Sequence, residues 1–180
     1  RYATLSDDSG LAVSQPGDAL EREADAAAAR VAGPGAMPAA PPMAVAAQLA
    51  GVPAAAPERV VSSVLSGSGN PLPTAVRNFM EEGFGQDFSR VRVHHDADAA
   101  RSSAMIGAQA YTVGDRIVFG QGQFMPETPS GRRLLAHELA HVVQQTSGRA
   151  SRMIARKGPE QDAACPKGHA KGETVKVSGT

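Results

Sequence analysis

The sequence predicts a small α+β domain. Three patterns carry that expectation: a long apolar helix over about 130–145, a hairpin over 110–119, and an amphipathic helix near the start, set off by a long stretch with almost no charge. A chain of 180 residues is enough for one domain with tails. Apolar residues make up 42% but aromatics only 4%, so the core must be small or supported by a metal. Eighteen basic and 18 acidic residues cancel, which argues against nucleic acid or an anionic membrane as a partner. The one cysteine, Cys165, excludes an internal disulfide framework. No apolar run is long enough to span a membrane, and the opening residues do not read as a signal peptide. The chain starts at Arg1 rather than Met, so it is expected to be part of a longer protein.

Taken in order, residues 1–32 form an N-terminal segment with a helix from Asp18 to about Val31, its apolar positions Leu20, Ala24, Ala27 or Ala28, and Val31 at helical spacing. Gly33-Pro34-Gly35 ends it. Residues 33–70 read as an Ala/Pro/Gly-rich linker, with room for a short helix near 58–65. The compact core is expected over 71–146. It opens with a helix over 73–82 closed by Gly83, then a strand over 91–94, then a helix over 96–106 capped by Asp96. Ala110–Val113 and Arg116–Phe119 flank Gly114-Asp115 as a hairpin. Residues 147–180 read as a flexible tail or the start of a following region. A strand is expected near 174–177.

The chemistry lies in His137-Glu138-Leu139-Ala140-His141. Residues four apart on a helix sit one turn apart on nearly the same face, so both imidazoles can meet one ion. Zn2+ is the expected cofactor: it brings the pKa of a bound water towards neutrality, and Glu138 is placed to act as general base. Leu134, Leu135, Leu139, Val142 and Val143 give this helix an apolar surround that would keep such a site dry.

The stretch from Leu72-Pro73 through Phe84-Gly85-Gln86-Asp87-Phe88-Ser89, Val91-Arg92-Val93-His94, Ala110-Tyr111-Thr112-Val113-Gly114 and Ile117-Val118-Phe119 to Leu134–Gln145 resembles one family. That family is the core domain of extracellular contractile injection systems, a group of bacterial metallopeptidase-like domains. The resemblance implies a zincin-like fold, a bacterial toxin or effector context, cytoplasmic synthesis before export, and secretion or injection within a larger protein.

Catalytic zinc commonly has three protein ligands and one water. The metzincin continuation is absent, since Gln144 and Ser147 stand where its glycine and third histidine belong. Glu160 lies downstream, but Lys157-Gly158-Pro159 is a poor helix start. Upstream, Glu21-Arg22-Glu23-Ala24-Asp25 resembles the Glu-x-x-Ala-Asp helix of gluzincins of the CAAX prenyl protease and HtpX type. The resemblance implies Glu21 as third ligand and Asp25 as its supporting carboxylate, in permuted order, because here that helix precedes the histidine helix. A capping box from Asp18 to Glu21 is the competing explanation, and Glu23 is the fallback in another register.

His94 and Tyr111 are candidates for an alternative ligand or an oxyanion donor, set against ordinary strand-end bonding and packing. His95 is expected to be exposed. Cys165 and His169 form only a weak pair. Two functions compete. One is a zinc endopeptidase, acting on a polypeptide that includes its own chain and aligned by an edge strand near 117–119. The other is a non-catalytic module that loads cargo onto a contractile injection particle, with a structural or vestigial metal.

Overall fold

The computed structural model of the chain describes residues 12–13, 19–33, 57–148 and 153–157. In chain order these form β1 (Ala12–Val13), α1 (Ala19–Ala32), α2 (Pro57–Ser66), β2 (Asn70–Pro71), α3 (Thr74–Phe84), β3 (Arg92–His94), α4 (Ala97–Met105), β4 (Ala110–Val113), β5 (Arg116–Phe119), α5 (Pro129–Thr146) and β6 (Met153–Lys157). The architecture is α+β.

The strands form one mixed sheet in the order β1-β6-β4-β5-β3-β2. β4 runs antiparallel to both β5 and β6, β3 runs parallel to β5, and the two-residue β1 adds in parallel on β6. Helices cover both faces, which is why β4 and the end of β5 are buried on every side chain. On one face Leu72, Met80, Phe88, Val93, Ile117 and Phe119 pack against Leu134, Leu135 and Leu139 of α5. On the other, Val61 and Val64 of α2 and Ala99 of α4 meet Tyr111, Val113, Val118 and Ile154. The alternation of Ile117, Val118 and Phe119 between these clusters is the period of two expected of a strand. Each of the three fully buried leucines of α5 contributes about 1.5–3 kcal/mol by leaving water.

Caps set the helix limits. Thr128 accepts from Gly131 N at 3.0 Å and Pro129 follows it, so α5 starts at Pro129. Asp96 caps α4 through Ala99 N, as expected, and is worth about 1 kcal/mol. The helix expected to close at Gly83 instead runs to Phe84, and Gly85 supplies the left-handed cap at φ 63°. Gly83 serves another purpose: a Cβ there would lie 2.5 Å from Val31 Cγ1, so its hydrogen lets α1 approach α3.

Two further differences bear on the site. The hairpin strand expected to offer an open edge, 117–119, lies between β4 and β3, so both its edges are already paired. The polar tail contributes β6, which had no alternating pattern to announce it. The linker over 34–56, the strand expected near 174–177, and Asp18, Glu160, Cys165 and His169 lie outside the described residues.

Candidate metal centre

α1 packs along α5, with Ala24 and Ala27 meeting Ala140. Alanines at the contact let the two backbones approach, and that closeness brings a carboxylate to the histidines. Glu21 Oε2 lies 3.3 Å from His137 Nε2, and Glu21 Oε1 lies 3.3 Å from His141 Nε2. The two Nε2 atoms are 3.1 Å apart, with the rings nearly perpendicular. All three residues are buried and converge closely enough to hold one ion.

Neighbouring groups fix which ring nitrogens face inward. Gln144 Nε2 donates to the Leu20 carbonyl at 3.0 Å, so the amide presents Oε1 to His141 Nδ1 at 2.8 Å. An acceptor there requires Nδ1 to carry the hydrogen, leaving Nε2 with a lone pair. Asp25 Oδ1 lies 2.9 Å from His137 Nδ1 and favours the same tautomer. Two lone pairs and two carboxylate oxygens then share one dry space, an arrangement that repels unless a cation sits among them. The donor set therefore fits a divalent metal.

The charges respond to this crowding. Burial opposes protonation of His137, but Asp25 and then Glu21 outweigh it and carry its pKa up to about 9. Burial likewise works against an ionised Glu21, yet His137 and His141 hold it at about 2. Asp25 is desolvated too, but His137 and Lys157 keep it well below the usual carboxylate range. Lys157 Nζ of β6 sits 2.8 Å from Asp25 Oδ1, so β6, α1 and α5 meet at this one carboxylate.

Glu138 is fully buried. Its Oε2 accepts from Thr112 Oγ1 of β4 at 2.7 Å, while Oε1 has no hydrogen-bond partner among the described residues. Burial pushes its pKa up, opposed by His137 and His141. A carboxyl with one anchored oxygen and one free oxygen can exchange a proton with a water beside the histidines.

The other candidates lie elsewhere. His94 ends β3 and borders a separate cavity of about 360 Å³ that Ser63, Asn70 and Asp96 also line. Burial and then Arg116 lower its pKa. Tyr111 is buried with its hydroxyl 2.7 Å from Ser102 Oγ, and burial pushes it up to about 12. His94 does not join the three-residue cluster, and Tyr111 packs among the residues on the opposite face of the sheet from α5. His95 is exposed and stacks on Phe124. Glu23 accepts from Gln144 Nε2 at 3.4 Å and is likewise outside the cluster.

Three contributors escaped sequence reasoning: Gln144, Thr112 and Lys157. Gln144 was findable, since a polar residue three after His141 shares its helix face. Thr112 was findable only once β4 was seen to lie on α5. Lys157 had no local signal.

Residues 71–149 match the family model of the eCIS core domain. That match contains His137, Glu138 and His141 and excludes Glu21 and Asp25. No curated protein and no solved structure matches the chain. Among the described residues no helix is long and apolar enough to cross a membrane.

Proposed function

We propose that the chain is a zinc-dependent endopeptidase domain, in permuted gluzincin arrangement, of a bacterial contractile injection system protein. The observation that carries this reading is the convergence of Glu21, His137 and His141 beside a Glu138 carboxylate with one oxygen unbonded. Two imidazoles and a carboxylate are a common catalytic zinc set, and three ligands leave a fourth position open.

Zinc held there supplies Lewis acidity, polarising the peptide carbonyl and making water acidic near neutral pH. Gln144 holds the Nδ1 hydrogen of His141, and the Asp25 carboxylate 2.9 Å from His137 Nδ1 favours a hydrogen there too, so both Nε2 atoms stay aimed inward. Glu138 Oε1 takes a proton from water as its oxygen bonds to the carbonyl carbon. The same carboxyl returns that proton to the leaving nitrogen as the C–N bond breaks. Thr112 keeps the carboxyl in one orientation through both transfers.

The test combines metal analysis with hydrolysis of unfolded polypeptides and of longer forms of this chain, with and without chelator. Glu138→Gln should retain zinc and lose hydrolysis. Equal hydrolysis by Glu138→Gln and the unaltered protein would overturn the reading. The near-complete burial of His137, Glu138 and His141 favours one alternative, a cargo-loading module with a purely structural metal. It expects chelator to destabilise a protein that hydrolyses nothing.

A further inference from the structure

A peptidase whose general base is fully buried cannot meet an outside peptide without something moving, and the position of β6 identifies what has to move. β4 is the strand beside the site, because Thr112 bonds the Glu138 carboxylate. One edge of β4 is taken by β5. The other edge, where an extended peptide would add by backbone pairing, is taken by β6.

β6 lies there much as a bound peptide would. It is five residues long and antiparallel to β4, with Ala155 opposite Thr112 and Lys157 opposite Ala110. Paired residues share a face, and residues two apart along a strand share it too. Ala155 and Lys157 therefore face the side on which Thr112 meets Glu138. Ala155, opposite Thr112, is small and buried. Lys157 reaches Asp25, the carboxylate against His137, at 2.8 Å.

We infer that the β4 edge is a binding site for an extended peptide carrying a lysine, that Asp25 forms its ammonium subsite, and that residues 153–157 of the chain itself are its resident occupant. The inference rests on the peptidase reading and names the substrate class for it. The domain as folded holds its own following segment in the substrate position, and a second peptide enters only by displacing β6 together with β1 on its far edge.

The probe is a labelled synthetic peptide of residues 151–158, offered to the full chain carrying Glu138→Gln so that nothing is cut. In excess it should compete with β6, so that amide hydrogens of residues 153–157 lose protection at least about tenfold while those of α5 do not. The same peptide with glutamate in place of its lysine should fail to compete, because it sets a carboxylate against Asp25. Lys157→Glu in the full chain should loosen β6 and raise probe affinity about tenfold or more, and Lys157→Arg should not. Should Lys157→Glu fail to fold, the competition measured in the Lys157 chain decides alone. Equal competition by the lysine and glutamate peptides, or none by either, overturns the inference. Hydrolysis is scored separately with Glu138 intact: competition without hydrolysis overturns the peptidase reading, and hydrolysis without competition overturns this site.

Discussion

Gln144 Oε1 lies 2.8 Å from His141 Nδ1, three residues later on the same helix, and its amide nitrogen reaches across to the backbone of α1 at Leu20. One side chain thus orients a candidate ligand and ties down the helix that delivers another. Gln144→Leu removes both bonds and leaves a buried Nδ1–H unpaired. The expected cost is about 1–3 kcal/mol in unfolding free energy. Zinc affinity should fall about 10- to 100-fold, as when an outer partner of a ligating histidine is lost. Competitive metal titration with urea unfolding measures both, and unchanged affinity would show that Gln144 orients nothing.

Glu21→Gln separates a ligand from a mere helix-start residue. Glutamine keeps the size and hydrogen-bonding reach of the side chain and serves in a capping box as well. It removes the charge shared between the two Nε2 atoms. Zinc affinity should fall by more than about 100-fold, beyond what an outer partner costs, while helix content stays constant by circular dichroism. His137→Ala and His141→Ala should abolish binding. Full zinc retention in Glu21→Gln would remove Glu21 from the site and leave the two histidines to be completed by another group.

Without metal, His137 takes the place of the cation. Its pKa is about 9 in the fold against an ordinary 6.5, so the native state binds the proton more tightly than the unfolded chain. That contribution is fully present below about pH 6.5 and is lost as pH rises through about 9; its upper bound is about 3 kcal/mol. Chelated protein should therefore lose urea stability between pH 6.5 and 9, and zinc-loaded protein should lack this slope. Zinc uptake at pH 7 should release about one proton per ion, read by titration calorimetry in buffers of different ionisation enthalpy. A flat stability profile for the chelated protein over that range would contradict the ion-pair geometry around His137.

The residues of the site were legible to the degree that their spacing was local. His137, Glu138 and His141 announce themselves because four residues make one helical turn, and Asp96 falls at a helix start where a capping side chain is needed. Glu21 and Asp25 came from resemblance rather than spacing, and their approach to α5 depends on Ala24, Ala27 and Ala140 allowing close packing. Alanines at helical spacing carry no direction in a sequence this rich in alanine. β6 was illegible because its pairing with β4 is a relation between distant segments. Its Met-Ile-Ala-Arg-Lys sequence does not alternate. The helix end was misplaced at Gly83 for a related reason: a glycine needed for contact with a distant Val31 looks like a stop signal when read locally.

That contact gives the sharpest test of whether α1 is docked as described. In an exposed helix, Gly→Ala ordinarily stabilises by about 0.5–1 kcal/mol. At Gly83 the added methyl would stand 2.5 Å from Val31 Cγ1 and 3.3 Å from Val31 Cβ. Val31 is β-branched and stiff about χ1, so it cannot swing aside without moving its backbone. Helix α1 must then shift, and Glu21 shifts with it. Gly83→Ala should therefore weaken zinc binding about tenfold while α5 and the sheet keep their amide-exchange protection. Val31→Ala, which clears the two methyl groups, should restore affinity in the Gly83→Ala background while having little effect alone. Because Val31 and Gly83 touch, the two changes should be strongly non-additive, the double variant binding zinc more tightly than Gly83→Ala. If Gly83→Ala instead raises thermal stability and leaves zinc affinity unchanged, α1 is not held against α3 at this point, and the placement of Glu21 over the histidines loses its structural support.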